Sequence, residues 1–465
     1  MSLLIVLAAL AFLMFVAYRG YSVILFAPIA ALGAVLLTDP ALVAPMFTGL
    51  FMDKMVGFLK LYFPVFLLGA VFGKLIEISG FSKSIVAATI RVVGAQRAML
   101  SIVLVCALLT YGGVSLFVVV FAVYPFAAEL FRQSDIPKRL VPGTIALGAF
   151  TFTMDALPGT PQIQNIIPTS FFGTTAWAAP VLGTLGGIFI LTLGMFYLEW
   201  RRRVAARSGE GYGTELRNEP DAFRGSSLAH PLIAITPLLL VGLSNFAFTR
   251  LIPRVYGETQ SFVPAVIGSP APVVQEVAKL AAIWAVQGAL LVGILAVIVF
   301  AWRPVFASFA EGTRSAIGGA LLASMNTASE YGFGAVIAAL PGFLVVANAL
   351  QSIPDPLVNE AVSVTALAGI TGSASGGMSI ALAAMAESFI ANANAAGIPM
   401  EVLHRVASMA SGGMDTLPHN GAVITLLAVT GLTHRQAYKD IFAITLIKTS
   451  AVFFIIALFY ATGWV

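Results

Sequence analysis

The sequence predicts an all-α integral membrane protein made of two inverted structural repeats, each of about five spans plus a re-entrant hairpin and a broken helix. Three observations predict it. The 465 residues are 59% hydrophobic and only 10% charged, where a soluble globular chain carries roughly 25% charged residues. One polar phrase is written twice: Gly112-Gly113-Val114-Ser115, Ile136-Pro137 and Met154-Asp155-Ala156-Leu157-Pro158 return as Gly376-Gly377-Met378-Ser379, Ile398-Pro399 and Met414-Asp415-Thr416-Leu417-Pro418, at offsets of 264, 262 and 260. Finally, the basic residues place matching connections of the two copies on opposite sides of the bilayer.

The elements follow in order. Apolar runs at 2–18 and 22–38 give the first two spans. Met1 to Tyr18 has no basic leader, so it reads as a span and not a cleaved signal. A third span covers 56–78. The run at 98–131 is too long for one crossing of a ~30 Å hydrocarbon core and too short for two. Gly112 and Gly113 interrupt it beside Ser115, which makes it a re-entrant hairpin, tolerable where it is buried in protein or lines a cavity. The segment 140–175 carries Asp155 and Pro158 in mid-run. A proline there removes a donor and clashes with the preceding turn, so this is a broken helix. A span at 176–199 ends the first repeat, 1–199.

The segment 200–229 holds Arg201, Arg202, Arg203, Arg207, Arg217 and Arg224. It is the cytoplasmic linker between repeats. The second repeat, 230–465, has spans at 230–248, 276–301, 316–346 and 442–463, a hairpin at 358–390 and a broken helix at 401–432. Connections at 79–97 and 132–139, Arg303 with Arg314, and Arg435 with Lys439 fall on the cytoplasmic side. Those at 347–357 and 391–400 contain no Lys or Arg. Lys54, Arg250 and Arg254 are the dissenters. Both termini are expected outside, and the first hairpin opens from the cytoplasm, the second from the exterior. Inverted repeats with broken helices are the architecture of secondary transporters, whose site lies near the midplane.

The net charge of +4 reflects loop topology and predicts no nucleic-acid partner. The lone Cys106 excludes an internal disulfide, and the four histidines form no zinc motif, so no metal or organic cofactor is expected. Asp155 and Asp415 are the symmetric carboxylates. A charge at that depth costs several kcal/mol, so each must be paired, protonated or bound to a cation, or must cap the half-helix after its proline. Glu330 lies within a span and is a further candidate proton carrier; Glu77 sits near the cytoplasmic edge. Residues beyond the two prolines differ between repeats: Thr160, Gln162 and Asn165 in one, His419 and Asn420 in the other. Unlike polar groups on a shared scaffold suit an asymmetric ligand. Hairpin tips add Gly112, Gly113, Ser115, Ser375, Gly376, Gly377 and Ser379. No Lys or Arg appears in either hairpin or beside either proline break, which favours a monocarboxylate with hydroxyls over a di- or tricarboxylate. Lys60, Lys74 and Lys448 lie near span ends, where they can snorkel.

The motif from Met154 to Asn165, with Tyr111-Gly112-Gly113-Val114-Ser115 before it, resembles the gluconate permease family of the ion transporter superfamily, over nearly the whole chain. The resemblance implies proton symport of small organic anions such as gluconate or 3-hydroxybutyrate across the bacterial inner membrane. It also implies a homodimer with a scaffold and an elevator-type moving domain. Gluconate-type members have a His- and Pro-rich stretch at the first break. Asp155 to Asn165 departs from it, which points to a smaller hydroxy or keto acid. Coupling to Na+ in place of H+ is the nearest alternative. A channel would need a continuous polar lining, and an intramembrane enzyme would use Asp155 and Asp415 as an acid–base pair. No GxxxxGK[ST] motif supports ATP-driven transport.

Overall fold

The computed structural model describes residues 2–19, 21–94, 97–214, 217–220, 228–263, 271–418 and 420–465, so His419 lies outside the described residues. α1 (Ser2–Tyr18) and α2 (Val23–Thr38) pack on each other. The chain turns at Asp39, whose carboxylate accepts from Ala41 N. It then passes through a single turn, α3 (Val43–Pro45), and a π-helical stretch, Met46–Phe51, into α4 (Met52–Ile78). The third span therefore begins well before residue 56, as part of a 39-residue helical path. α5 (Phe81–Val93) is helical where a plain connection was expected.

Two arms, α6 (Ala98–Tyr111) and α7 (Leu116–Gln133), form the first hairpin. The first broken helix comprises α8 (Val141–Ala149), α9 (Phe152–Asp155) and α10 (Ile163–Phe172), and α11 (Pro180–Arg207) follows it. After the linker come α12 (Pro231–Tyr256) and α13 (Val277–Phe300), then α14 (Trp302–Ala307) and α15 (Phe309–Ala338). The run expected at 316–346 is divided, because Pro341 opens a new helix, α16 (Pro341–Gln351), at the position where its missing N–H costs nothing. The second hairpin is α17 (Pro356–Thr371) and α18 (Ala374–Ala395). The second broken helix is α19 (Met400–Ser411) and α20 (Gly421–Thr430), and α21 (His434–Thr462) ends the chain. Among the described residues, one paired element is not helical. β1 (Thr259–Phe262) and β2 (Val273–Glu276) pair antiparallel, with Thr259 opposite Glu276, between α12 and α13.

Repetition extends to backbone detail. α7 is followed by left-handed Asp135 and Ile136-Pro137, and α18 by left-handed Gly397 and Ile398-Pro399. The Ile136 and Ile398 amides each bond back five residues, to Phe131 O and Ala393 O, both at 2.8 Å. Gln162 and Asn420 are the N-caps of α10 and α20, and left-handed Gly173 and Gly431 are their C-caps. Packing repeats too: α2 meets α15 as α13 meets α4, and α1 meets α16 as α12 meets α5.

The faces differ chemically. α12 exposes Leu232, Leu239, Leu243 and Phe246, and α13 exposes Leu291, Leu295 and Val299, stripes at helical spacing on one side of each helix. Apolar stripes of that length on an outer surface are stable against lipid, not water. The opposite face of α13 buries Ala282, Ala285, Val286, Ala289, Gly293 and Val297. Six of the described helical segments are long and apolar enough to cross a membrane. The hairpins, broken helices, α11 and α21 pack together into one body, and α4, α13 and α15 form the wall against it.

Candidate functional site

Breaking a helix frees backbone carbonyls, and a buried carbonyl left unpaired costs about 1–3 kcal/mol. Here side chains take them up. At the first break, Phe150 O accepts from Lys448 Nζ at 2.7 Å, Asp155 O from Arg405 Nη1 at 2.9 Å and Ser408 Oγ at 2.8 Å, and Pro158 O from Tyr111 Oη at 2.8 Å. Gly159 O accepts from Asn245 Nδ2 at 3.2 Å and Thr160 O from Asn165 Nδ2 at 2.9 Å. At the second, Thr416 O accepts from Tyr438 Oη at 3.2 Å, and Pro418 O lies 2.9 Å from His434 Nε2.

Two of these donors change the electrostatic picture. Lys448 does not snorkel. It is 2% exposed and its Nζ lies 2.6 Å from Asp415 Oδ1. Arg405, wholly buried on α19, binds Asp155 O, Ala178 O (2.7 Å) and Asn165 Oδ1 (3.0 Å). Positive charge absent from the motifs thus arrives from elsewhere in the chain. Asp155 itself is 2% exposed, and its Oδ1 has no hydrogen-bond partner. Gly412 supports it closely, since a Cβ there would stand 1.9 Å from Asp155 Oδ2 and 3.3 Å from Lys448 Cε. Asp155, Lys448, Asp415 and Arg405 form one core of two acids and two bases, formally neutral.

The predicted residues fall into distinct settings. Gln162 and Asn420 occupy equivalent places: Gln162 Nε2 donates to Thr110 O (2.7 Å) and Val114 O (3.3 Å), and Asn420 Nδ2 to Gly372 O (2.6 Å). Each clips its half-helix to the turn of its own hairpin. Asn420 Oδ1 also accepts from Ala422 N and Val423 N. Thr160 donates to Thr153 O at 2.8 Å. Asn165 is saturated, giving its amide to Thr160 O and Ala176 O and receiving Arg405 and His404 on Oδ1.

The second Gly-Gly-x-Ser is not a tip. In the first hairpin the turn is Gly112–Ser115, with Gly113 at φ +96° and Ser115 at the N-cap position of α7 without a side-chain cap bond. In the second it is Gly372, at φ +66°, and Ser373, which caps α18 by accepting from Gly376 N. Gly376 and Gly377 lie one turn further on, inside the helix. They are small because neighbours are close: an added Cβ would stand 1.7 Å from Glu330 Oε2 at Gly376 and 2.2 Å from Ala368 Cα at Gly377. The two Gly-Gly pairs also face different neighbours. Gly112 and Gly113 meet Leu238, Pro161 and Leu290, whereas Gly376 meets Glu330.

Glu330 is 4% exposed and lies beside Gly376 and Ser373, and its Oε2 has no hydrogen-bond partner. Ser375 Oγ lies 3.3 Å from Thr327 Oγ1, and Ser379 Oγ is buried without a partner. Glu77, by contrast, makes a half-exposed pair with Lys74 at 2.9 Å. Sequence reasoning passed over Arg405, His404 and Glu360. Glu360, on α17, has no exposed surface and no hydrogen-bond partner on either carboxylate oxygen. An acid and a basic pair inside apolar runs were the available signals.

Hairpins and broken helices converging on a buried ionic core, within lipid-facing helices, define a multi-pass membrane transporter. The chain is 60% identical to the uncharacterized transporter YxjC of Bacillus subtilis (strain 168) over 474 residues, covering all of both chains, and it belongs to the family of that transporter. No family model matches it. Its fold is similar to the crystal structure of the YdaH transporter of Alcanivorax borkumensis, described there as an unusual topology, with a TM-score of 0.52 at 16% identity, covering 92% of this chain and 90% of that one.

Proposed function

We propose that the protein is a proton-coupled symporter of small organic monocarboxylates, hydroxy acids of the gluconate or 3-hydroxybutyrate kind. We place it in the bacterial inner membrane as a homodimer of elevator type related to the gluconate permeases. The observation that carries the reading is Asp155, a buried carboxylate with an unpartnered oxygen, beside the Lys448–Asp415 pair. Such a group is ready to take up and release a proton without dismantling other bonds. Glu330, with its own free oxygen, is the second carrier. H+ is favoured over Na+ because a sodium ion is coordinated by several oxygens, and three carbonyls of the first break, around Asp155, already accept from Lys448, Arg405, Ser408 and Tyr111.

The neutral sum of the ionic core supports a monoanion entering with a proton over a di- or tricarboxylate. Substrate contacts in this reading come from Ser115, Ser375 and His419, while Thr160, Gln162, Asn165 and Asn420 hold the breaks and hairpin turns that frame the site. The test is uptake of labelled 3-hydroxybutyrate and gluconate into proteoliposomes under imposed pH or sodium gradients. Uptake should follow the inward proton gradient, collapse with a protonophore, and lose pH dependence in Asp155→Asn while substrate binding persists. Accumulation that tracks sodium alone, at any pH, would overturn proton coupling.

A further inference from the structure

A cavity of about 520 Å3 lies away from the ionic core, between the start of α6 and the end of α11. Its rim is basic. Arg97 comes from the foot of α6, and Arg202 and Arg203 from the last turns of α11. Glu199 is the acid in this rim, 2.6 Å from Arg202 Nη2 and 3.0 Å from Arg203 Nε. Arg97 has no ion pair among the described residues, so three guanidinium groups face one carboxylate. Below the rim the walls are apolar, with Leu100, Leu191 and Met195 lining the chamber. Phe196, 69% exposed, continues them onto the lipid-facing stripe of α11 formed with Ile188 and Trp200.

We propose that this cavity binds an anionic glycerophospholipid, its phosphate held by the three arginines and an acyl chain lying along the α11 wall. Charge complementarity selects the head group. Guanidinium forks match phosphate oxygens, and with Glu199 already paired to Arg202 and Arg203 the net positive rim repels the ammonium of a zwitterionic lipid. The change from basic rim to apolar wall, within two helical turns of α11, selects an amphiphile over a soluble anion. Basic pockets between spans at a cytoplasmic face are suited to such head groups, and the arginine-rich end of α11 leads directly into the basic linker. A lipid so placed bridges the first arm of the hairpin to α11.

The test uses the full-length protein in neutral detergent, offered phosphatidylglycerol, phosphatidylcholine or glycerol 3-phosphate. Retention is read by native mass spectrometry and stabilisation by thermal melting. Phosphatidylglycerol should be retained and should raise Tm, while the other two should do neither. Each of Arg97→Gln, Arg202→Gln and Arg203→Gln should weaken phosphatidylglycerol retention about fivefold. Thr192→Trp, which fills the chamber without altering charge, should weaken it too and serves if an arginine variant folds poorly. Equal retention of the two lipids, or phosphatidylglycerol retention unchanged in the variants, would overturn the proposal. Displacement of the lipid by glycerol 3-phosphate would assign the rim to a soluble anion instead.

Discussion

Replacing Lys448 with methionine is the sharpest perturbation of the ionic core. The substitution keeps the unbranched apolar stem as far as Cε and removes the charged amine. It breaks two contacts at once, the 2.6 Å pair with Asp415 and the 2.7 Å bond to Phe150 O, at a position 2% exposed. Removing one member of a buried ion pair costs about 3–5 kcal/mol, because the surviving charge is stranded. An orphaned buried carbonyl adds about 1–3 kcal/mol. The two overlap, and a loss of about 4–6 kcal/mol is expected for K448M. Adding D415N removes the stranded charge and should restore most of it, leaving roughly the 1–3 kcal/mol of the carbonyl. A double-mutant cycle on equilibrium unfolding in mixed micelles, followed by tryptophan fluorescence, reads the coupling directly. Transport in proteoliposomes is measured on the same four proteins. If K448M unfolds with the wild type, or if K448M/D415N is no better than K448M, then Lys448 and Asp415 are not paired in the bilayer and the neutral core is wrong.

Other expectations are narrower. Arg405→Lys should destabilise the protein although it keeps the charge, since a point-like ammonium cannot reach Asp155 O, Ala178 O and Asn165 Oδ1 together; a melting curve unchanged by R405K would mean that charge alone matters there. Gly412→Ala and Gly376→Ala should each cut transport by an order of magnitude or more while the protein still inserts, because their Cβ atoms would stand 1.9 and 1.7 Å from Asp155 Oδ2 and Glu330 Oε2. Uptake at wild-type rate in either variant would show that those carboxylates are free to move aside. The linker should undock in acid. The Arg139 guanidinium, hydrogen-bonded at 2.6 and 2.7 Å, holds the Glu210 carboxyl below the usual range. A depressed pKa contributes docking above the ordinary value of about 4.3 and loses it as pH falls through the lowered one. Limited proteolysis between 208 and 214 should therefore stay slow at neutral pH and accelerate only at strongly acid pH; cleavage already fast at pH 7 would refute the docking.

What the sequence by itself determined here is what short-range chemistry determines. The hairpin of 98–131 and the breaks at Pro158 and Pro418 were legible because glycine and proline act on their own backbone, whatever surrounds them. The duplicated phrase was legible because its matching residues do the same local work, down to the left-handed residues before Ile136 and Ile398. The identity of the second turn was not. Two adjacent glycines serve a turn at Gly112-Gly113 and close packing at Gly376-Gly377, and the difference lies in Glu330 and Ala368, which only the fold brings near. The start of α4 was likewise settled by packing, whereas the division of 316–346 follows from Pro341, a local signal that the apolar run concealed. The ionic core was the least legible part. Lys448, alone in the apolar stretch of α21, reads as a residue on its way to the lipid interface, and Arg405 as one charge among the loops. Tertiary structure put them 33 residues from Asp415 and 250 from Asp155 in sequence and within hydrogen-bonding distance in space. The physical reason is that a buried charge is decided by its partners, and partners drawn from distant helices leave no spacing for a sequence to display.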